Sequence, residues 1–150
     1  MTMNIVNGNP EFGVPIPFIE HLGIRLVEQN ETRAVIRLER RPELLNSWGS
    51  AHGGVIMTLL DVAMSAAVRG RYKAAASVLT VDMSVGFLSA GMGDILAEGR
   101  VLHAGKSTAF CEGEARDTAG KLLTKAIGTF KLLTDRDKQP AAGQGRTEQA

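Results

Sequence analysis

The residues best suited to chemistry lie together in the middle of the chain. Asp61 stands in a run of apolar residues that includes Ile56, Leu59, Leu60, Val62 and Met64. On a helix, Thr58, Asp61, Ser65 and Arg69 fall at i, i+3, i+7 and i+11, which is one narrow stripe. The remaining faces are apolar, the pattern of a buried helix. Aspartate is a poor mid-helix residue because its carboxylate competes for backbone hydrogen bonds. Burying it is costly unless a partner is supplied. Two readings follow. The stripe faces water, or Asp61 pairs with Arg69 or a strand. Alternatively the stripe lines a cleft, where the carboxylate serves as a base.

His52-Gly53-Gly54 opens the same helix. Glycine lets a ligand approach the backbone closely. The first helical N–H groups lack internal partners and sit at the positive end of the helix dipole. An N–H aimed at a carbonyl oxygen gaining negative charge is an oxyanion hole. The plainer reading is a glycine-mediated junction between loop and helix. Gly53 and Asp61 are separated by roughly 12 Å of helix axis, so one subunit's pair cannot readily share one carbonyl. Two antiparallel helices related by a two-fold axis would bring Gly53 of one beside Asp61 of the other.

Other elements must position these groups. Pro15 and Pro17 precede a short helix that ends at Gly23. Residues 24–29 and 33–39 read as two halves of a strand or hairpin around Asn30-Glu31, with Ala34, Ile36 and Leu38 on one side. Residues 40–50 form a loop, given Pro42, Asn46 and Gly49. The helix is expected over 53–69, stopped by Gly70. Residues 77–88 alternate, setting Val78, Thr80, Asp82 and Ser84 against Leu79, Val81, Met83 and Val85. Strands over 95–104, 107–117 and 121–133 follow, split by the turns Ala104-Gly105-Lys106 and Thr118-Ala119-Gly120. The expectation is four consecutive antiparallel strands packed on one long helix, an α+β arrangement whose sheet edges need a partner.

The 150 residues suit one domain over 1–134, with 1–14 as an N-terminal extension and 135–150 as a polar tail. Seventeen basic and 16 acidic residues give a net charge of +1, without the dense cationic face of a nucleic-acid binder. The lone Cys111 reads as a packed thiol, and no intrachain disulfide is possible. The polar N-terminus shows no signal peptide, and the apolar stretch 55–68 is too short to span a bilayer. A soluble cytoplasmic protein is the expectation.

The string Asn46-Ser47-Trp48-Gly49-Ser50-Ala51-His52-Gly53-Gly54, then six residues and Asp61, resembles the hotdog-fold acyl-CoA thioesterases of the phenylacetyl-CoA thioesterase branch. Ser77-Val78-Leu79-Thr80-Val81-Asp82-Met83 and Gly105-Lys106-Ser107 also resemble family segments. The resemblance runs from about Phe18 to Leu133. It implies a hotdog fold, in which an antiparallel sheet wraps a long helix and continues across a homodimer, often paired again into a homotetramer. It implies hydrolysis of acyl-CoA with no metal and no cofactor beyond the coenzyme A of the substrate.

Carried over by position, Gly53 donates its N–H to the thioester carbonyl. Asp61 of the partner subunit is general base or nucleophile, Asn46 positions water or thioester, and Thr80 supplies a hydroxyl near the carboxylate. His52 shapes the helix start at the pocket wall, next to Gly54. Ser65, one turn after Asp61, could hydrogen-bond it. Trp48 narrows the acyl pocket or caps the core, with packing favoured. His103, Gly105, Lys106 and Ser107 form a turn suited to pantetheine or nucleotide, although Lys106 reads equally as a solvated hairpin lysine. Phe87 lies along the same channel or in the core. Two rivals use the same residues. A hotdog hydratase-dehydratase would pair His52 with Asp61, and a non-catalytic acyl-CoA binding module would hold ligand without turnover.

Overall fold

The computed structural model describes residues 11–73, 77–133 and 137. Most of the expected tail, and residues 1–10 of the expected extension, lie outside the described residues. Helix α1 spans Pro17–Leu22, with proline at its start and Gly23 closing it at φ 71, where the N–H of Gly23 donates to Glu20 O. Strands β1 (Arg25–Gln29) and β2 (Arg33–Leu38) form an antiparallel hairpin. A single 3-10 turn covers Pro42–Leu44. Helix α2 spans Gly53–Tyr72, and strands β3 (Ser77–Phe87), β4 (Ile95–Ala104), β5 (Thr108–Asp117) and β6 (Leu122–Leu133) follow. The six strands form one antiparallel sheet in the order β1-β2-β4-β5-β6-β3. Helix α2 packs across one face of it, the α+β hotdog arrangement expected above.

Three features differ from expectation. First, β3 does not pair with β4. It lies outside β6 at the sheet edge, and β2 takes the place beside β4. The reason lies under the helix. A Cβ on Gly99 of β4 would sit 2.3 Å from Ala63 O, so β4 must run beneath the middle of α2. That centre leaves the two edges for β1 and β3.

Second, α2 continues through Gly70 to Tyr72 and is closed by Lys73 at φ 51. Gly70 is no terminator. A Cβ there would lie 2.3 Å from Asn30 O, so glycine lets the β1–β2 turn touch the helix. At 20 residues α2 is long and apolar enough by composition to cross a bilayer, beyond the shorter stretch read from the sequence. Here it is a core helix, with Leu59, Leu60, Ala63, Met64, Ala67 and Val68 fully buried.

Third, the alternation along β3 breaks. Pairing steps from Thr80↔Phe130 to Asp82↔Thr129, which leaves Val81 as the extra residue of a bulge. Val78 and Thr80 before it, and Met83 after it, therefore face the same side.

The sheet meets α2 on a floor of glycines. Besides Gly99, a Cβ on Gly113 of β5 would lie 3.2 Å from Leu60 Cδ2 and 3.3 Å from Met64. One on Gly128 of β6 would lie 3.3 Å from Met64 Cε. Met64 fills the space that their absent side chains leave. The opposite sheet face carries a charged cluster, with Lys125 bridging Glu112 at 2.7 Å and Glu114 at 2.9 Å, beside exposed Phe110 and Ile127. The hydrogen bonds from Lys125 and Arg116 hold the Glu114 carboxyl below the usual range.

Cys111, in the middle of β5, is fully buried, and burial pushes its thiol up to about 12. At pH 8 almost none of it is thiolate, the form that reacts. An aromatic disulfide reagent should therefore leave Cys111 unmodified in the native protein and modify it once denaturant is added. Rapid labelling of native protein would contradict this burial.

Candidate active site

Thr80 Oγ1 donates to Asp61 Oδ1 at 2.6 Å. The helix stripe sets one partner and the β3 bulge sets the other. Both border a cleft of about 540 Å³ between α2, β3 and the chain that leads into α1. All four stripe residues, Thr58, Asp61, Ser65 and Arg69, line it. The rest of the wall is largely apolar, with Phe12, Ile16, Met57, Val62 and Met83 among the residues that shape it. The stripe thus lines a cleft, and Asp61 pairs with a strand at the same time. Arg69 does not pair with Asp61; its Nη1 donates to Phe12 O at 3.2 Å.

The start of α2 is built to leave one donor over. His52 caps the helix with φ −61 and ψ 137, and its Nδ1 accepts the Gly54 N–H at 3.0 Å. The N–H groups of Val55 and Ile56 donate to His52 O, and that of His52 donates to Leu44 O. The Gly53 N–H has no acceptor among the described residues, although its neighbours on both sides are satisfied. Such a donor, at the positive end of a 20-residue helix, suits an incoming oxyanion. The same capping bond occupies His52 Nδ1 and ties the ring to the helix start, and within the protomer His52 does not line the cleft that Asp61 borders.

Gly53 and Asp61 are not brought together within one protomer. Gly54, one residue on, shares the cleft face with Asp61, and Gly53 does not line it. Asn46 also stays apart. Its Oδ1 accepts the N–H groups of Trp48 at 3.0 Å and Ser50 at 3.2 Å, and its Nδ2 donates to Ser50 Oγ at 2.9 Å. The amide thus rigidifies its own loop.

Trp48, expected to pack, stands 88% exposed at the tip of that loop. The loop closes through the Leu45↔Ala51 bridge and the Asn46 amide, and neither gives the indole a surface to cover. Ser65 Oγ donates to Val62 O at 3.1 Å and not to Asp61, since a helical serine readily bonds the preceding turn. Phe87 is outside the core at 52% exposure. Its ring lies 3.5 Å from where a Gly53 Cβ would stand, beside the free N–H.

The β4–β5 turn with His103, Gly105, Lys106 and Ser107 lies at the far end of α2. There Tyr72 Oη donates to Gly105 O at 2.5 Å. The Gly105 N–H donates to Thr108 O, so Gly105 shapes the turn while Lys106 and Ser107 remain exposed. Among the described residues, no group of three or more His, Cys, Asp or Glu is placed to hold a metal.

Two parts of the site escaped sequence reading. Phe12 and Ile16 wall the cleft from a segment read as extension and helix approach; Phe12, Val14 and Ile16 alternate there, but the run is short and broken by Gly13 and Pro15. Gly99, Gly113 and Gly128 under α2 fall inside the strand patterns. An isolated glycine inside a strand pattern is the usable signal for close backbone approach.

The model of the thioesterase superfamily matches residues 49–124, which include the helix start, Asp61 and Thr80. The acyl-coenzyme A thioesterase PaaI of Escherichia coli is 38% identical over 90 residues, 58% of this chain and 61% of its own length. Acyl-coenzyme A thioesterase 13 of Pongo abelii is 31% identical over 112 residues, 73% of this chain and 79% of that protein. Among solved structures, a conserved protein of Pseudomonas aeruginosa superposes with a TM-score of 0.76 at 30% identity, over 79% of this chain and 94% of that one.

Proposed function

The chain belongs to the thioesterase superfamily and is a thioester hydrolase, and on that premise we propose that it hydrolyses an acyl-coenzyme A to free acid and coenzyme A at Asp61. The observation that carries this reading is the carboxylate held by Thr80 in the wall of an apolar cleft. With Oδ1 occupied, Oδ2 is available to accept from a water. That water's oxygen bonds to the thioester carbonyl carbon as Asp61 takes its proton. The carbonyl oxygen gains negative charge and is met by the Gly53 N–H of a partner subunit. Collapse of the tetrahedral intermediate breaks the C–S bond, and the proton held by Asp61 passes to the leaving thiolate. Thr80 keeps the carboxylate aimed. No metal or further cofactor enters these steps.

The distance along α2 favours a site shared across a homodimer. The edge strand β3 suits it, with Leu79 and Val81 exposed beside a free row of backbone groups. A second copy pairing there would continue the sheet, and two such dimers would make the expected tetramer. Lys106, with His103 and Ser107 on the exposed turn, sits at the Tyr72 end of α2, away from Met57 at the cleft mouth, so it would meet the phosphates of a coenzyme A bound to a partner subunit's cleft and not to its own.

The test uses Gly53, the first residue of α2. Proline is tolerated at that position and removes only the N–H. His52, at ψ 137, already has the backbone that precedes proline. An added Cβ meets the Phe87 ring at an ordinary 3.5 Å. Gly53→Ala keeps the donor, and Gly53→Pro should lose about 10²–10³-fold in thiol release from acyl-CoA relative to it. Equal mixtures of refolded Asp61→Ala and Gly53→Pro subunits should recover about one quarter of wild-type activity, because half the dimers carry one intact site. With subunit exchange verified, no recovery means that the site is not shared.

A further inference from the structure

We infer that the described N-terminal segment, residues 11–16, is the length gate of the acyl site, with Arg69 as the latch that holds it against α2. This rests on the acyl-thioester reading above and adds which part of the substrate is measured, and by what.

The cleft has an open end and a closed end. At the open end stand Met57 at 40% exposure and Phe18 at 58%. Beyond Asp61 the helix wall is Val62, Ser65 and Ala66, and the last two are small enough to leave room. Arg69 comes two turns after Asp61, roughly 12 Å along the axis. A helical side chain leans toward the N-terminus, so the Arg69 stem covers the turn before it. Its Nη1 donates to Phe12 O at 3.2 Å, which draws the Phe12 backbone over the end of the cleft.

The segment is tied on its other side as well. The Glu11 carboxylate accepts the Leu26 N–H at 2.8 Å and pairs with Arg25 at 3.1 Å. It is therefore pinned to β1 and to α2 at once, with Phe12 and Ile16 turned toward the cleft.

The occupant follows from the lining. The nucleotide of coenzyme A is charged and would be poorly solvated in a largely apolar slot. An uncharged acyl chain or ring gains by entering it. With the thioester carbonyl at Asp61, the acyl group runs inward toward Arg69 and ends at Phe12, while the coenzyme leaves by the open end. Each buried methylene then raises kcat/KM about fourfold until the gate is met.

The experiment is a kcat/KM series over straight-chain acyl-CoAs from butyryl to palmitoyl, read as thiol release. It uses wild type, Phe12→Ala, Arg69→Met and Arg69→Lys. Wild type should rise with chain length and then break. Phe12→Ala and Arg69→Met should move the break to longer chains and raise the long-to-short ratio by about tenfold or more. Arg69→Lys keeps a donor for Phe12 O and should restore the wild-type break. If Phe12→Ala fails to fold, the Met and Lys pair at Arg69 decides alone. A proportional loss at every chain length, or an unmoved break, overturns the gate and leaves the thioesterase reading standing. No hydrolysis of any acyl-CoA by wild type overturns both.

Discussion

Asp61→Asn should lower kcat/KM for acyl-CoA hydrolysis by about 10²–10⁴-fold, the range expected when a positioned general base is removed. The substitution keeps the side chain's shape. Thr80 Oγ1 can still donate to the amide oxygen, as it now does to Oδ1 at 2.6 Å. Asp61 is only half-buried and faces a cleft, so loss of its charge strands no partner in the core. The fold should therefore survive with its melting temperature within a few degrees of wild type. Thiol-release kinetics and thermal melting, measured on the same preparation, check both halves. An amide variant that turns over at more than a tenth of the wild-type rate would sink the assignment. Loss of activity together with loss of folding would instead mark Asp61 as structural.

The largest effect on stability should come from Gly99→Ala. The new methyl carbon would lie 2.3 Å from Ala63 O, 2.4 Å from Ala63 C and 2.5 Å from Met64 N. All three are backbone atoms in the middle of α2, so no side chain can turn away to make room. Either α2 lifts or β4 sinks. Overpacking a well-filled interior typically costs about 1–3 kcal/mol and occasionally more. A clash with helix backbone belongs at the upper end, which for a chain of this length is a fall of about 10 °C in Tm. Because Asp61 rides on the same helix, displacement should also open its contact with Thr80 and lower turnover in the molecules that remain folded. Thermal denaturation followed by circular dichroism is the check. A Tm within about a degree of wild type would show that helix and sheet do not meet as closely as described.

Much of this is legible in the sequence. The 3.6-residue stripe placed Thr58, Asp61, Ser65 and Arg69 on one face, and all four line the cleft. The strand positions were close because each is bounded by turn chemistry with few alternatives, such as Thr118-Ala119-Gly120. What could not be read depends on contacts between distant segments. Gly70 looks like a helix stop until Asn30 O is seen against it. The edge position of β3 follows from where α2 rests, and neighbouring strands in sequence do not encode that. Trp48 resembles a packing residue by type alone, and only the closed loop beneath it shows that it covers nothing. The Gly53 N–H stands without an acceptor among the described residues because the donors on both sides of it are satisfied by His52 and Leu44, contacts that spacing alone does not encode.

The extra residue in β3 has a consequence of parity. Up to Thr80 the strand serves the cleft on one count, and from Met83 it keeps the same side on the opposite count. The strand is thus two half-strands joined out of phase. Delete Val81 and both halves keep their faces, with Thr80 still opposite Phe130; draw Val81 into the ladder instead, and the hydroxyl of Thr80 turns to the far face while Leu79 swings toward the carboxylate. What gives Asp61 its partner is the one unpaired residue that lets Thr80 and Met83, three apart in sequence, share a face, a property of spacing rather than of side-chain type.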